Sequence, residues 1–398
     1  MEEWKDCILG DIAVAVKDRI DTSVLDRESY ISTENMLPDK AGVSVSSGVP
    51  SGNVIKFQVG DVLISNIRPY FKKIWRANCI GGCSADVICL RATDEVESLF
   101  LYYLLSQNAF FDYVMLGAKG TKMPRGDRKQ ILQWPLSLPS MKEQRVISSF
   151  LKFLDDKIEV NRRINDNLEQ QAQALFKSWF VDFEPFKDGE FVESEMGMIP
   201  KGWKVKSLSG IADYRNGLAM QKYRPLDGEI GLPVLKIKEL GQGLCDDSSE
   251  LCSPSMIGEK YIVNDGDIIF SWSGTLMVKL WCGGKCGLNQ HLFLVDPQGF
   301  PNWLVYQWTN HYLNNFIRIA KDKAVTMGHI KRGELDKAKV VVPNEMGMCY
   351  INALMEPLFK QIIAIQIESR RLAQFRDTLL PRLMSGELKV NEIERTVG

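Results

Sequence analysis

The longest regular pattern of hydrophobic and polar positions runs through residues 142–180. Steps of four and three residues lead along it without a slip, and neither Gly nor Pro interrupts it. Such spacing predicts one long helix with a heptad seam. A segment near the C-terminus repeats the rhythm. The seam that we expect between the two helices comprises Ile147, Leu151, Leu154, Ile158, Asn161, Asn165, Leu168, Leu175, Leu354, Leu358, Ile365, Leu372, Phe375 and Leu379.

Polar residues within the seam indicate whether the two helices pair with each other. Asn161 and Asn165 cost stability but fix register and partner, which favours two helices that pair with each other. They would then hold two globular domains at a fixed distance. The alternative is that each helix packs on its own domain. Pro357 is tolerated only near a helix start, so we expect the second helix to begin near 356 or to carry a kink.

The segment before the first long helix and the segment before the second form an internal sequence repeat. "VGDVLISN" at 59–66 is matched by "DGDIIFSW" at 265–272, and Trp4 opens a spacing pattern that Trp203 opens again. Matching positions lie between 199 and 207 residues apart. Short β-branched or aromatic runs bounded by Gly, Pro, Asn or Asp predict strands in each copy. One amphipathic helix interrupts them, at 95–115 in the first copy and at 301–320 in the second.

These patterns predict the α+β fold class, with two mixed α/β domains separated by two long helices and related by an internal repeat. The predicted segments are a first domain over 1–140, a helix over 141–180, an acidic linker over 181–202, a second domain over 203–344, a helix over 345–386 and a tail over 387–398.

Composition is that of an ordinary globular protein. Of 398 residues, 45% are hydrophobic and 25% charged, and the net charge of −1 leaves room for a local basic patch. No run of eighteen apolar residues predicts a membrane span. The acidic N-terminus has no apolar core typical of a signal peptide. Nine scattered cysteines indicate reduced thiols, and we expect a cytoplasmic protein without a membrane partner.

Signatures of catalysis and of cofactor binding are missing from the sequence. It contains no Walker A sequence, no G-x-G-x-x-G after a strand and no G-x-S-x-G elbow. All three histidines lie in the second copy, so chemistry shared by both copies cannot depend on them. The Cys79–Cys83 and Cys282–Cys286 pairs are out of register with each other and lack a histidine, which favours structural thiols over zinc. We therefore expect no catalytic residue, no metal and no cofactor.

Basic segments recur at the same two places in each copy, at 68–76 and 119–129 in the first. The second copy has a more neutral 271–279 and a basic 321–332. Clustered Lys and Arg with small polar residues suit phosphate contacts, and Arg, Ser and His also suit base edges. A solvated charged surface is the alternative. The candidate DNA contacts are Ser65, Arg68, Tyr70, Lys72, Lys73, Lys119, Lys122, Arg125, Arg128, Ser271, Ser273, Thr275, Lys279, Lys321, Lys323, Thr326, His329, Lys331 and Arg332.

Four motifs and their order resemble the specificity subunit of type I restriction-modification enzymes. In chain order they are "GTKMPR" at 120–125, "KEQRVI" at 142–147, the restart "EMGMIPKGW" at 195–203 and the close "LLPRLMSGELKV" at 379–390. The resemblance implies a non-catalytic subunit with two target-recognition domains, each binding one half of a bipartite, asymmetric site in double-stranded DNA. It also implies an antiparallel coiled coil that sets the gap between the halves.

The same resemblance implies the partners. Two methyltransferase subunits would dock on the helices, and motor-nuclease subunits would complete the restriction enzyme. The partners, rather than this chain, would use S-adenosylmethionine, ATP and Mg²⁺. Two other functional classes agree less well with the sequence. A catalytic chain is opposed by the missing motifs, and a coiled-coil assembly scaffold that binds no DNA would leave the basic segments unexplained.

Overall fold

The structure is a computed structural model that describes residues 4–322 and 330–388. Contacts divide the chain into two compact units. The first unit contains residues up to Asp156 together with those from Ala373 onward, and the second contains Lys157–Leu372. Both long helices contribute residues to each unit. Among the described residues, no helix is long and apolar enough to cross a membrane.

The described residues of the first unit form ten strands in three sheets. The sheet orders are β1-β10, β2-β9-β6-β7 and β3-β5-β8-β4, and within these sheets only the β4–β8 pair is parallel. The strands are β1 (Lys5–Ile8), β2 (Ala13–Ala15), β3 (Arg19–Asp21), β4 (Tyr30–Ile31), β5 (Asn53–Phe57), β6 (Val62–Ser65), β7 (Ile74–Arg76), β8 (Gly81–Cys83), β9 (Val87–Ala92) and β10 (Pro135–Leu138). The helices are α1 (Leu9–Ile12), α2 (Ser98–Leu105), α3 (Asn108–Leu116), α4 (Arg128–Leu132) and the long α5 (Met141–Phe176).

The second unit contains a corresponding set of sheets, β13-β22, β14-β21-β18-β19 and β16-β15-β20-β17, and one added hairpin, β11-β12. Its strands are β11 (Phe191–Ser194), β12 (Gly197–Pro200), β13 (Lys204–Ser207), β14 (Ala212–Asn216), β15 (Leu232–Leu235), β16 (Leu251–Cys252), β17 (Ile262–Val263), β18 (Ile268–Ser271), β19 (Met277–Leu280), β20 (Cys286–Leu288), β21 (Leu292–Pro297) and β22 (Lys339–Val342). Its helices are α6 (Ile237–Gln242), α7 (Pro254–Ile257), α8 (Asn302–Asp322), α9 (Gly333–Lys337) and the long α10 (Glu345–Met384).

The repeated Gly-Asp signature is a tight turn that leads into the central strand of each unit. Gly60 and Gly266 have φ of +94° and +93°, which a residue with a Cβ rarely adopts. The carboxylate of the following Asp61 or Asp267 accepts the backbone N–H three residues before it, at 2.9 Å and 2.7 Å. The positive φ favours Gly, and the accepting side-chain oxygen explains why a residue such as Asp follows it at both places.

The central strands β6 and β18 are buried along their whole length because their two faces cover different cores. Val62 and Ile64 join the core that the helices cover, whereas Leu63 faces the smaller core against the second sheet. In β18, Ile268 and Phe270 are likewise separated from Ile269. This double burial explains why both strands read as continuous apolar runs.

Three local elements differ from the sequence expectation. The helix expected over 95–115 is interrupted, since Gln107 is extended between α2 and α3 (ψ 146°) and the Ser106 hydroxyl caps the carbonyl of Tyr102 at 2.7 Å. The segment expected to be a linker, 181–202, contains the β11–β12 hairpin. The second long helix begins at Glu345 and continues through Pro357, which excludes the alternative of a start near 356.

Burial along α10 also differs from the expected seam. Leu354 is 45% exposed, whereas Ile351, Met355 and Phe359 are buried in the core of the second unit. Phe375 is 46% exposed. The reason is that the N-terminal half of α10 packs against a globular core. The buried face of the helix there is formed by Ile351, Met355 and Phe359, which do not all lie on the expected four-three seam. The other residues of the expected seam are buried or half-buried.

The two long helices also contact each other within each unit. In the second unit, the Asn161 amide donates to Glu368 at 2.7 Å, and Lys157 lies 3.5 Å from the same carboxylate. In the first unit, Arg376 forms a 2.6 Å ion pair with Asp155. The helices therefore pack on the globular cores and on one another.

Beyond α5, a π-helical turn over Lys177–Val181 buries two aromatic side chains. Phe180 is 2% exposed, and its ring lies 5.4 Å from Trp203 and 5.9 Å from Trp303. Trp179 is also buried. The restart of the sequence repeat at Trp203 is thus packed directly against the end of the first long helix.

Candidate nucleic-acid interface

In the first unit, backbone hydrogen bonds join the two basic segments that the sequence places about fifty residues apart. The N–H of Arg68 donates to the carbonyl of Pro124 at 2.8 Å, and the N–H of Gly126 donates to the carbonyl of Asn66 at 3.2 Å. A Cβ at Gly126 would lie only 2.9 Å from Val114, so the close approach requires glycine. The fold thereby brings 66–73 and 119–128 together.

We call the result the first basic surface, defined by Arg68, Lys72, Lys119, Lys122, Arg125 and Arg128. Its outer part is a loop closed by two reciprocal backbone hydrogen bonds of 2.9 Å between Lys119 and Arg125. Lys119, Lys122, Arg125 and Arg128 are exposed, while Arg68 and Lys72 are half-buried. Four cations on one closed loop and the start of α4 form a concentration of positive charge that suits a polyanion.

Carboxylates in the neighbourhood orient this surface without neutralising it. Arg125 lies 3.4 Å from Asp86, and Lys119 lies 3.4 Å from Asp127. Asp127 also caps α4 by accepting backbone N–H groups, and these hydrogen bonds hold the pKa of its carboxyl below the usual range. The four cations therefore outnumber the two carboxylates.

Two candidates in this segment turn inward and brace the fold instead. Ser65 is 3% exposed, and its hydroxyl donates to the carbonyl of Ile67 at 3.0 Å. Lys73 donates to the carbonyl of Thr33 at 2.7 Å, and burial lowers the pKa of its ammonium. Both side chains hold the segment in place, which differs from the expected contact role.

The second unit brings its two candidate segments together in the same way. The N–H of Ile330 donates to the carbonyl of Trp272 at 3.2 Å. Lys331 and Arg332 follow this junction and are exposed, and Arg332 also donates to the carbonyl of Tyr214 at 2.8 Å. Lys321 is exposed in the last turn of α8. Lys323, Thr326 and His329 lie outside the described residues.

Segment 271–279 contributes mainly turn-forming groups. Ser271 is fully buried and donates to the carbonyl of Thr275 at 2.7 Å. Ser273 is buried, with its hydroxyl 3.1 Å from Nδ1 of His291. Thr275 is exposed. Lys279 donates to the carbonyl of Gly241 at 2.8 Å, and burial lowers the pKa of its ammonium, so its role is internal rather than the expected contact.

Sequence reasoning missed the loops that follow β8 and β20. In the first unit, Arg128 donates to the carbonyl of Ala85, next to the Asp86 that pairs with Arg125. In the second unit, the exposed His291 meets Ser273, and the loop's polar sequence is "NQH" at 289–291. A short polar run just before an apolar run was the available signal.

The described residues contain no group of three or more His, Cys, Asp and Glu side chains arranged to hold a metal ion. All nine cysteines are free thiols, including the Cys79–Cys83 and Cys282–Cys286 pairs.

Comparison with known proteins assigns the family. The protein-family model described as the type I restriction modification DNA specificity domain matches residues 1–170 and 200–367. The chain belongs to this family. The match occurs in two segments, one for each copy of the sequence, and it confirms the resemblance that the motifs indicated.

Relatives agree with the assignment. The type I restriction enzyme MjaIX specificity subunit of Methanocaldococcus jannaschii is 29% identical, over 75% of this chain and 71% of its own length. The HindI specificity subunit of Haemophilus influenzae is 23% identical, over 98% of this chain and all of its own. The crystal structure of a type I system S subunit from M. genitalium shares the fold, with a TM-score of 0.53, 14% identity and 96% coverage of each chain.

Specificity subunits are the non-catalytic recognition subunits of type I restriction-modification systems, and this chain is one of them. The mixed strand and helix content with two long helices agrees with that assignment. The alternative of an assembly scaffold that binds no DNA has no support in these matches.

Proposed function

We propose that the chain reads a bipartite, asymmetric site in double-stranded DNA, with one half recognised by each unit. The observation that carries the proposal is the first basic surface, where two distant basic segments meet in a chain of a DNA-specificity family. Its cations would bind phosphates and so fix the register of the unit on the duplex. The exposed polar groups of the second unit, among them Thr275 and Arg332, would serve the other half-site.

Two long helices would set the gap between the half-sites as an antiparallel coiled coil. The antiparallel direction is supported by the ion pair of Asp155 with Arg376 in one unit and the hydrogen bond of Asn161 with Glu368 in the other. The later residue of α5 thus meets the earlier residue of α10. The corresponding sheets of the two units support an internal two-fold repeat.

The other components would come from separate subunits. Two methyltransferase subunits would dock on the helices and supply the chemistry with S-adenosylmethionine. Motor-nuclease subunits that use ATP and Mg²⁺ would complete the restriction enzyme. This chain would contribute recognition and geometry alone.

The test is to map methylated motifs across a genome in cells that express this chain with its methyltransferase subunit. Cells with the methyltransferase subunit alone are the control. We expect a split, asymmetric motif that is methylated only when this chain is present. Replacing residues 1–139 by the matching segment of a relative should change one half of the motif and leave the other half and the gap unaltered.

An unchanged methylation pattern in the presence of the chain would contradict the recognition role. A change in both halves after the exchange would contradict the assignment of one half-site to each unit. Failure of the chimaera to assemble with the methyltransferase subunit is checked by size-exclusion chromatography, so that loss of assembly is separated from loss of recognition.

A further inference from the structure

The tip of segment 68–72 carries two exposed aromatic rings. Tyr70 is 46% exposed and Phe71 is 37% exposed, and their ring centroids lie 4.6 Å apart. They occupy a single 3₁₀ turn over Pro69–Phe71. Neither ring belongs to the buried cores of its unit, so the exposed part of each is available to an external partner.

The backbone that presents these rings is strained and firmly held. Arg68 and Lys72, on either side of the turn, both have positive φ, 50° and 49°. Non-glycine residues in this region persist only where surrounding structure imposes them, and they concentrate at functional sites. The surrounding structure here includes the N–H of Asp39, which donates to the carbonyl of Phe71 at 2.8 Å, and that of Lys40, which donates to the carbonyl of Lys72 at 3.1 Å.

The positive charge around the two rings indicates the kind of partner that they contact. The turn belongs to the first basic surface, and the ammonium of Lys73 lies 5.9 Å from the Phe71 ring. Met123, on the neighbouring basic loop, is also half exposed. Cations can hold the phosphates of DNA, but aromatic and thioether groups gain nothing from phosphate. They gain from the faces and edges of bases.

We propose that Tyr70 and Phe71 form a rigid aromatic wedge that enters the DNA between two base pairs and unstacks them. The proposal rests on the proposed function and specifies how the first unit deforms its half-site. A wedge of this kind kinks the duplex, and pyrimidine–purine steps yield most easily. The cations of the first basic surface hold the flanking phosphates while the rings replace the lost stacking.

The second unit provides an internal comparison. At the matching position its turn carries Gly274, with φ of +64°, and Thr275, with no aromatic ring at the tip. Trp272, the nearest ring in that segment, packs 5.7 Å from Phe293. At this turn the second unit therefore has no equivalent wedge, and we expect the distortion in the half-site read by the first unit.

The experiment uses the full chain in complex with its methyltransferase subunits and a duplex that contains the methylated motif. 2-Aminopurine replaces one base at a time in both half-sites, because its fluorescence rises when it is unstacked. Donor and acceptor dyes on the duplex ends report bending. Methyltransferase subunits also act on target bases, so each position is measured with and without Tyr70→Ala/Phe71→Ala.

We expect 2-aminopurine fluorescence to rise at one base-pair step in the half-site of the first unit, and the duplex to bend. Both effects should depend on the two rings. Affinity of Tyr70→Ala/Phe71→Ala should fall by about tenfold, in line with the loss of base stacking on aromatic side chains. Tyr70→Phe keeps the ring and should retain the signal. The control Val24→Ala, at an exposed valine of the same unit, should leave this signal unchanged.

Specific binding with no ring-dependent signal in this half-site overturns the wedge while leaving the recognition role intact. A rise in 2-aminopurine fluorescence that persists in the double variant also overturns the wedge. If the double variant instead loses its methyltransferase subunits on size-exclusion chromatography, the rings serve a protein contact and the proposal is wrong. Failure to find any motif removes the recognition role itself, and the wedge with it. Thermal unfolding checks that the exposed substitutions keep the fold.

Discussion

Removing three cations from the first basic surface should weaken DNA binding in a way that salt reveals. The variant is Lys122→Ala/Arg125→Ala/Arg128→Ala, at three exposed side chains. Each phosphate contact adds about 0.9 to the slope of log affinity against log salt concentration. Three lost contacts should therefore reduce the slope by about 2.7 and the affinity by about 500-fold near 0.1 M salt.

Stability should change little, which separates this effect from unfolding. The Arg125–Asp86 pair is 3.4 Å long, with side chains 58% and 41% exposed. Such surface pairs contribute about 0–1 kcal/mol, because solvent screens them. Arg128 loses a hydrogen bond to a backbone carbonyl at an exposed site, which adds a similarly small cost. The variant should therefore remain folded and assembled.

The assay is fluorescence anisotropy with a labelled duplex that contains the motif, at salt concentrations from about 50 to 200 mM, the range over which phosphate contacts dominate. The matched control is Lys187→Ala/Lys201→Ala/Lys204→Ala, which removes the same charge from three exposed lysines of the second unit. If both variants lower the slope equally, net charge rather than the first basic surface is responsible. An unchanged slope in the first variant would refute the reasoning.

Three further outcomes follow from the second unit. Phe180→Ala should lower the free energy of unfolding by about 3–5 kcal/mol, measured by urea denaturation followed by tryptophan fluorescence, because it removes a ring that is 2% exposed. Arg370→Met should cost about 2–3 kcal/mol by leaving Asp265 without its 2.6 Å partner, and adding Asp265→Asn should recover part of that loss. Burial raises the pKa of Asp267, so the native state holds this proton more tightly than the unfolded chain does. The free energy of unfolding therefore falls as pH rises from the unfolded pKa through the folded pKa, because the buried carboxyl becomes charged. Asp267→Asn should therefore be more stable than wild type near pH 7 and equal to it near pH 3 in urea denaturation, and equal gains at both pH values would contradict this account.

Local signals in the sequence predicted much of the architecture. The four-three rhythm marked both long helices, and the repeated Gly-Asp pairs marked equivalent turns that need positive φ at Gly60 and Gly266. Such features depend on the chain's own backbone and on periodicity, which are readable without tertiary contacts. The interruption at Gln107 was missed because the residues on both sides keep the apolar character of one helix.

Side-chain direction was harder to predict than segment position. Arg68 and Lys73 lie in one basic run, yet Lys73 points inward to the carbonyl of Thr33. Ser271 reads as a polar contact residue but is fully buried as part of its turn. In irregular segments no fixed periodicity determines which face a side chain lies on. Charge alone therefore cannot distinguish a residue that stabilises the fold from one that contacts DNA.

By itself, the sequence determined the mixed helix and strand content and the two long helices, and it contains no recognisable catalytic motif. Those properties follow from repeats, periodicity and residue chemistry along the chain. Only the tertiary structure decided that the two basic segments of the first unit form one surface, through the hydrogen bonds of Arg68 to Pro124 and of Gly126 to Asn66. It also decided that Tyr70 and Phe71 stand exposed at its tip. The physical reason is that a binding surface depends on long-range contacts, which place side chains by packing rather than by order along the chain.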